Sequence, residues 1–165
     1  MNIKEFKISL KEYKEEELNQ EEKGLLENAL KASVHAYAPY SNFHVGAAVL
    51  LEDGTVILGS NQENAAYPSG LCAERVALFY AQSQYPDIPV KALAITAVSD
   101  NFSIDSPVSP CGACRQVIAE TEFRHQKKIK IIMKGQTGPV YIADGIETLL
   151  PLSFYEEKLQ KKASQ

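Results

Sequence analysis

The spacing of apolar residues along the chain predicts three helices. Apolar side chains recur three or four residues apart over residues 25–37, which is the period of a helix with one buried face. Asn19 and Glu22 stand three residues apart and have the form of a capping box at the start of this helix. A second helix is predicted to begin near residue 72, and a third to span residues 112–123.

Alternating and continuous apolar runs between these helices predict a sheet. Five strands are predicted, over residues 43–51, 56–61, 91–99, 128–134 and 140–144. The first two are expected to form a hairpin with Asp53 and Gly54 as its two-residue turn. Phe6, Ile8 and Leu10 alternate with polar residues, which allows one further short strand near the N-terminus.

The order of these elements predicts a single α/β domain. A strand, a helix and a strand follow one another between Lys91 and Lys134, an order that implies a right-handed parallel crossover. We therefore expect a three-layer α/β/α sandwich around a mixed five-stranded sheet, with a short terminal helix in residues 146–154. A length of 165 residues suits one domain. Residues 1–165 are expected to form that domain, with residues 1–18 as an N-terminal extension.

Charge and the lengths of the apolar runs argue against two classes of partner. The formal net charge of −4 and the pI near 5.4 disfavour nucleic-acid binding, since nucleic-acid-binding domains carry a basic stripe. The N-terminus lacks the hydrophobic segment of a secretory signal. The longest apolar run, residues 45–51, is far shorter than the roughly 20 residues of a membrane helix. We therefore expect a cytoplasmic protein with no membrane or nucleic-acid partner.

Three cysteines are the first candidates for chemistry. Cys111 and Cys114 form a Cys-x-x-Cys pair at the predicted start of the third helix, and Cys72 stands at the predicted start of the second. Clustered cysteines in the cytoplasm are more often metal ligands or catalytic groups than disulfides. The free N–H groups and partial positive charge of a helix start favour thiolates. Two helix starts can therefore bring three thiolates to one Zn²⁺ ion.

Three interpretations of this cluster stay open from spacing alone. In an open zinc site, the three cysteines are ligands and the fourth position is left for water. In a closed structural site, His35, His44 or His125 would supply the fourth ligand, although none stands at a ligand-like spacing from a cysteine. In the third interpretation, the Cys-x-x-Cys pair is a redox pair or inert, which leaves Cys72 without a role. The spacing favours the open site.

Glu74 adds weight to the open site. It follows Cys72 by two residues in the first turn of the second helix, where acidic residues are common for electrostatic reasons alone. Beside a zinc ion with an open position, its carboxylate would act as a general acid and base. Cys-x-Glu alone is a weak signal. Cys-x-Glu with Pro-Cys-x-x-Cys, in which Pro110 follows Glu74 by 36 residues, is a strong one.

Residues 72–75 (CAER) and 109–117 (SPCGACRQV) resemble the cytidine deaminase family, in which the same signature marks zinc deaminases. The similarity continues in residues 37–50, 61–79 and 149–154. It covers residues 25–154, most of the chain. The resemblance implies one Zn²⁺ ion per subunit and hydrolytic deamination of cytidine and 2′-deoxycytidine to uridine and 2′-deoxyuridine. Ammonia would be released, and the reaction would serve pyrimidine salvage.

The resemblance also implies roles for the residues around the metal. Cys72, Cys111 and Cys114 would hold the zinc ion. Glu74 would transfer protons during catalysis. Zinc with three thiolates carries a net negative charge and is a poor Lewis acid, so Arg75 would donate hydrogen bonds to the sulfurs and offset part of that charge.

Substrate contacts are implied in the same way. Asn61 and Glu63 would bind the 3′-hydroxyl of the ribose, and the charge of Glu63 would repel a phosphate there. Phe43 would pack on the pyrimidine ring. The backbone N–H of Ala73 would donate to the O2 atom of that ring.

Family members with three cysteine ligands and short chains are typically homotetramers whose subunits share active sites. Tyr67 and Phe154 correspond to positions that reach a neighbouring subunit's site, so the resemblance implies a homotetramer that binds a small nucleoside. Ser69 stands where relatives often carry an apolar residue, and the N-terminal extension exceeds the shorter members. Neither difference touches the implied chemistry.

Two other functions stay open at this point. The same fold could deaminate another small aminopyrimidine, such as a nucleoside antibiotic. A non-catalytic zinc module would instead have its metal fully ligated by protein. Ammonia release from cytidine, deoxycytidine and a base-modified analogue separates the two deaminases, and an activity assay separates the zinc module from either enzyme.

Overall fold

A six-stranded mixed sheet forms the centre of the computed structural model, which describes residues 1–155. The strands are β1 (Lys11–Tyr13), β2 (Phe43–Leu51), β3 (Val56–Ser60), β4 (Val90–Ser99), β5 (Lys130–Lys134) and β6 (Val140–Asp144). Their order across the sheet is β1-β6-β5-β4-β2-β3. Strands β4 and β5 are parallel and the other neighbours are antiparallel, so the predicted parallel pairing is confirmed.

Helices cover both faces of this sheet. The described residues contain three α-helices, α1 (Gln20–Ser33), α2 (Ala73–Gln84) and α3 (Gly112–His125). Leu93 and Ile95 of β4 pack with α2 and α3, whereas Ala92 and Ala94 point to the other face and pack with α1. The predicted α/β/α sandwich is therefore confirmed. Within residues 1–155, no helix combines the length and the apolar character needed to cross a membrane.

Helix α1 begins where the sequence predicts and ends earlier. Asn19 Oδ1 accepts a hydrogen bond from Glu22 N at 2.9 Å, and the Glu22 carboxylate accepts one from Asn19 N at 3.2 Å, so the capping box is confirmed. The helix ends at Ser33 because the chain then turns, and Tyr37 N donates to Asn61 O at 3.0 Å. This contact places the segment after α1 beside the residues that follow β3.

The N-terminal strand lies later than predicted. Residues 6–10 form no strand and are exposed, whereas β1 follows them directly and pairs with β6. Lys11 is paired with Ile142, and β6 continues for only two residues beyond it, to Asp144, so most residues before Lys11 have no partner strand. Tyr13 packs against the apolar cluster under α1 and holds β1 to the sheet.

The hairpin between β2 and β3 has a three-residue loop instead of the predicted two-residue turn. Leu51 N donates to Thr55 O at 2.9 Å, which leaves residues 52–54 in the loop. Gly54 has a φ of +90°, the left-handed conformation that closes three-residue hairpin loops. The sequence therefore identified the turn residues and missed the loop length.

The C-terminal segment has one turn of helix rather than the predicted terminal helix. Residues Ile146–Thr148 form a 3₁₀ turn, and residues 149–155 are not helical. Pro151 explains the early end, because proline disfavours the helical conformation of the residue before it.

Close contact with β3 fixes the position of α2 on the sheet. A Cβ atom at Gly59 would lie 2.5 Å from Ala73 O and 2.6 Å from Ala77 N, so only glycine allows this approach. Ala73, Ala77 and Ala81 are all at most 1% exposed and give α2 a flat apolar face. The first turn of α2 is therefore held directly on the sheet.

Replacing Gly59 by alanine tests this contact. Gly59→Ala is expected to lower the free energy of unfolding by about 1–3 kcal/mol or more, because the added Cβ overpacks against helix backbone. Gly24→Ala is the control, since a Cβ there meets nothing within 4 Å and should stabilise α1 by roughly 0.5–1 kcal/mol. Urea denaturation measures both values, and similar effects of the two changes would contradict the close approach.

Candidate active site

Two helices start close together, and each starts at a cysteine. Cys72 is the N-cap residue of α2 and Cys111 is that of α3. N-cap side chains are usually those of Ser, Thr, Asp or Asn, whose oxygen accepts from a free N–H group of the helix. Neither cysteine makes such a bond, so both helix starts forgo that stabilisation and keep a free sulfur. Cys114 lies in the first turn of α3 and is fully buried.

The three sulfur atoms form a cluster. Cys111 Sγ lies 3.7 Å from Cys72 Sγ and 3.5 Å from Cys114 Sγ, and all three atoms lie within 4.8 Å of one another. A tetrahedral ion with Zn–S distances of about 2.3 Å separates its sulfur ligands by about 3.8 Å. All three thiols are free of disulfides, so the cluster fits a zinc ion with little movement.

The cluster offers three ligands rather than four. Within residues 1–155, no histidine, aspartate or glutamate belongs to it, and His44 Nε2 lies instead 3.1 Å from Asn42 Oδ1. The closed structural site with a histidine ligand is therefore not supported. The convergence of Cys72 on the Cys-x-x-Cys pair also argues against an isolated redox pair. Because Cys111 is exposed and Cys114 is buried, one side of the cluster is open.

Arg75 offsets negative charge at the cluster. Its Nη2 atom donates to Cys72 Sγ at 3.7 Å. Hydrogen bonds from Cys114 and Arg75 lower the pKa of Cys72 to about 5, although burial opposes them. The interaction with Cys72, together with burial, raises the pKa of Cys114. Arg75 Nε is buried without a hydrogen-bond partner among the described residues.

Glu74 is a buried acid next to this cluster. It lies in the first turn of α2 and is only 4% exposed. Burial raises the pKa of its carboxyl, and the negative charge of Cys72 raises it further. A carboxyl with a raised pKa can both accept and release a proton near neutral pH.

The open side of the cluster lies at a cleft of about 820 Å³. The residues singled out from the sequence that line this cleft are Phe43, Asn61, Glu63, Tyr67, Cys72, Glu74, Arg75 and Cys111. Ala73 and Cys114 lie behind them at 0% exposure. Phe154 is 71% exposed and is not among the described residues that line the cleft of its own chain.

Asn61 connects one wall of the cleft to β2. Its Oδ1 atom accepts from Val45 N at 2.7 Å, and its Nδ2 atom donates to Phe43 O at 2.9 Å. A carboxamide has two donors and two acceptor positions, so each group keeps one position for a ligand. The Phe43 ring stacks on Phe102, with centroids 6.2 Å apart.

Glu63 holds the turn that precedes β2. Its carboxylate accepts from Tyr40 N at 2.9 Å, from Ser41 N at 3.3 Å and from the Ser41 hydroxyl. Hydrogen bonds from Ser41 and Tyr40 lower the pKa of this carboxyl, so it is charged at neutral pH. The cleft therefore carries a fixed negative charge on this wall.

Arg115 is a residue that the sequence reasoning missed. Its Nε donates to Pro110 O and its Nη1 to Leu149 O, both at 2.8 Å, and its Nη2 donates to Ser109 Oγ at 3.3 Å. The guanidinium thus ties the loop before α3 to the C-terminal segment. One feature of the sequence could have indicated it. Arg115 directly follows Cys114, which places it near the loop that precedes α3 and leads to the sulfur cluster.

Comparisons with known proteins agree on one family. Residues 19–131 match the profile of the cytidine and deoxycytidylate deaminase zinc-binding region. Cytidine deaminase from Sporosarcina psychrophila is 44% identical over 141 residues, which are 86% of this chain and 96% of that protein. Cytidine deaminase from Halalkalibacterium halodurans is 51% identical over 135 residues, 82% of this chain and 95% of that protein.

A solved structure shows the same likeness. The crystal structure of cytidine deaminase from Burkholderia pseudomallei superposes with a TM-score of 0.70 at 37% identity. The match covers 83% of this chain and 100% of that one. The similarity in sequence therefore extends to the arrangement of the elements.

Reconstitution with Co²⁺ tests the cluster without reference to activity. We expect one ion per chain, with an ultraviolet charge-transfer band whose intensity falls by about one third for each cysteine replaced by serine. Ser109→Ala is the control, because Ser109 lines the same cleft without belonging to the cluster and should leave the band unchanged. A band that survives Cys72→Ser would remove this residue from the ligand set.

Proposed function

We infer the function from one premise: the chain belongs to the cytidine and deoxycytidylate deaminase family. It is an enzyme that catalyses the zinc-dependent hydrolytic deamination of cytidine and 2′-deoxycytidine, a reaction of pyrimidine salvage. The products are uridine or 2′-deoxyuridine and ammonia. The observation that carries this conclusion is the three-sulfur cluster, which lies beside the buried Glu74 and opens onto a cleft.

The metal would be held by Cys72, Cys111 and Cys114, whose sulfur spacing suits one zinc ion per subunit. Zn²⁺ supplies a Lewis acid that lowers the pKa of water toward neutrality. Arg75 donates to Cys72 and withdraws part of the negative charge of three thiolates. Without that donation, the same set of ligands would weaken the Lewis acid.

Glu74 moves the protons of the reaction. As the oxygen of the attacking water bonds to C4 of the cytosine ring, the carboxylate takes up a proton and delivers it to N3. It then transfers the remaining hydroxyl proton to the amino group, which leaves C4 as ammonia while the oxygen stays as a carbonyl. The raised pKa of Glu74 suits a group that must accept and release protons in one cycle.

The remaining lining of the cleft would select a nucleoside. Phe43 would pack on the pyrimidine ring, and the backbone N–H of Ala73 would donate to its O2 atom. Asn61 and Glu63 would hold the 3′-hydroxyl of the sugar with the hydrogen-bonding positions that their wall contacts leave free. The charge of Glu63 would repel a phosphate at that end, which favours nucleosides over nucleotides.

The active enzyme would be a homotetramer in the cytoplasm, where reduced thiols persist. Phe154 would complete the cleft of a neighbouring subunit, which accounts for its high exposure and its distance from the lining of its own cleft. Tyr67 would also reach a neighbouring site. The residue is 76% exposed, and its ring lies edge-on to that of Tyr40 with the centroids 5.9 Å apart, so it stands at the rim of the cleft.

Ammonia release from cytidine tests the reaction and the role of Glu74. Zinc-loaded protein should deaminate cytidine and 2′-deoxycytidine, and metal-stripped protein should not. Glu74→Gln should retain zinc and lose at least about 100-fold in kcat, because it removes the proton carrier and keeps its volume. Glu120→Gln, on the exposed side of α3, is the control and should retain full activity. Turnover of Glu74→Gln at the normal rate would exclude Glu74 from the mechanism.

Mixed assemblies test whether active sites are shared. Phe154→Ala should raise KM, and Glu74→Gln should be inactive. In mixed oligomers of the two variants, some sites combine an intact Glu74 with an intact Phe154 from the neighbour, so a population of sites should regain the normal KM. A mixture of Phe154→Ala with the double variant, which carries both Phe154→Ala and Glu74→Gln, should contain no sites with the normal KM. Kinetics identical in the two mixtures would mean that Phe154 serves no neighbouring site.

A further inference from the structure

The C-terminal segment, residues 149–155, has no helix or strand of its own and is held by α3. Arg115 binds the carbonyl oxygen of Leu149 at 2.8 Å, and the Phe123 ring lies 5.6 Å from the Tyr155 ring, centroid to centroid. These contacts hold the two ends of the segment. Gln116 holds it between them.

Gln116 makes two hydrogen bonds with the backbone of Phe154, one as donor and one as acceptor. Its Nε2 atom donates to Phe154 O at 2.6 Å, and Phe154 N donates to its Oε1 atom at 3.1 Å. One carboxamide therefore satisfies both backbone groups of a single residue, in the way that a neighbouring strand would. The Phe154 ring takes no part in this pairing and stays 71% exposed.

The anchoring point lies in a helix and is close to the sulfur cluster in sequence. Gln116 is half-buried in the first turns of α3, two residues after Cys114, which is completely buried. A backbone fixed at this point presents the exposed ring in one place instead of many. A ring that is ordered before it contacts a ligand loses less conformational entropy when it does so.

We propose that Gln116 is a positioning residue that fixes the Phe154 backbone so that its ring fits the cleft of a neighbouring copy. The proposal rests on the proposed function, and in particular on shared active sites. Gln116 touches neither the substrate nor the metal in this role. It acts through Phe154 alone, and this separates it from a residue that merely stabilises α3.

Gln116→Met tests the proposal, because methionine keeps the length and helix propensity of glutamine and removes both hydrogen bonds. We expect KM for cytidine to rise by about 3- to 10-fold, with kcat within about 2-fold and zinc content unchanged. Glu120→Met, one turn further along α3 and exposed, is the matched control and should change neither constant. Gln116→Glu keeps the acceptor for Phe154 N but turns a carboxylate oxygen toward Phe154 O, so it should also raise KM.

A double-mutant cycle distinguishes positioning from a general structural effect. If Gln116 acts through the ring, Gln116→Met should add nothing to the KM of Phe154→Ala. An equal rise in KM in both backgrounds would overturn the proposal, as would loss of zinc or an unchanged KM in Gln116→Met.

A fluorescence measurement tests the same contact without catalysis. The sequence contains no tryptophan, so Phe154→Trp introduces a single reporter at this position. Its anisotropy should fall when Gln116→Met is added and should stay constant when Glu120→Met is added. If the wild-type protein did not deaminate cytidine, the proposed function would fail, and an anisotropy unaffected by Gln116→Met would separately refute the anchoring of Phe154.

Discussion

The site depends on one packing constraint, the direct contact of α2 with β3. Because Gly59 has no side chain, the first turn of α2 lies against the backbone of the sheet, and Ala73 and Ala77 fill the contact. This places Cys72 where the start of α3 can meet it. The sulfur cluster is therefore a product of helix placement, with no ligand supplied by a flexible loop tip.

The first residues of α2 and α3 form the candidate site, and this arrangement makes the two helix starts less stable. Two N-cap positions carry cysteine, which forms no cap bond, and Glu74 is buried in the first turn of the same helix as Cys72. Arg75 counters part of this cost by donating to sulfur. In the proposed mechanism, Cys72, Glu74 and Arg75 would bind the metal, transfer protons and balance charge, so that the start of one helix would combine three roles.

The sequence predicted the features that depend on interactions between residues close together in the chain. The capping box of α1, the strands of the sheet and the starts of α2 and α3 all follow from short-range spacing, and so do the three thiols. The end of α1, the place of β1 and the three-residue hairpin loop depend on contacts with distant parts of the chain. The contacts of Arg115 and Gln116 could not be predicted for the same reason. Their partners Leu149 and Phe154 stand 34 and 38 residues away. Both partners also contribute backbone atoms, which every residue type has, so the sequence does not identify them.

Strand direction has a consequence for how this fold can change. Strands β4 and β5 run the same way, and two such neighbours cannot be joined by a tight turn. Residues 100–129 must therefore form a crossover connection from one end of the sheet to the other, and the loop with Cys111 is part of that connection. A longer β2–β3 loop would leave the sheet and the sulfur cluster as they are, whereas a crossover too short to span the sheet would displace Cys111 from the cluster.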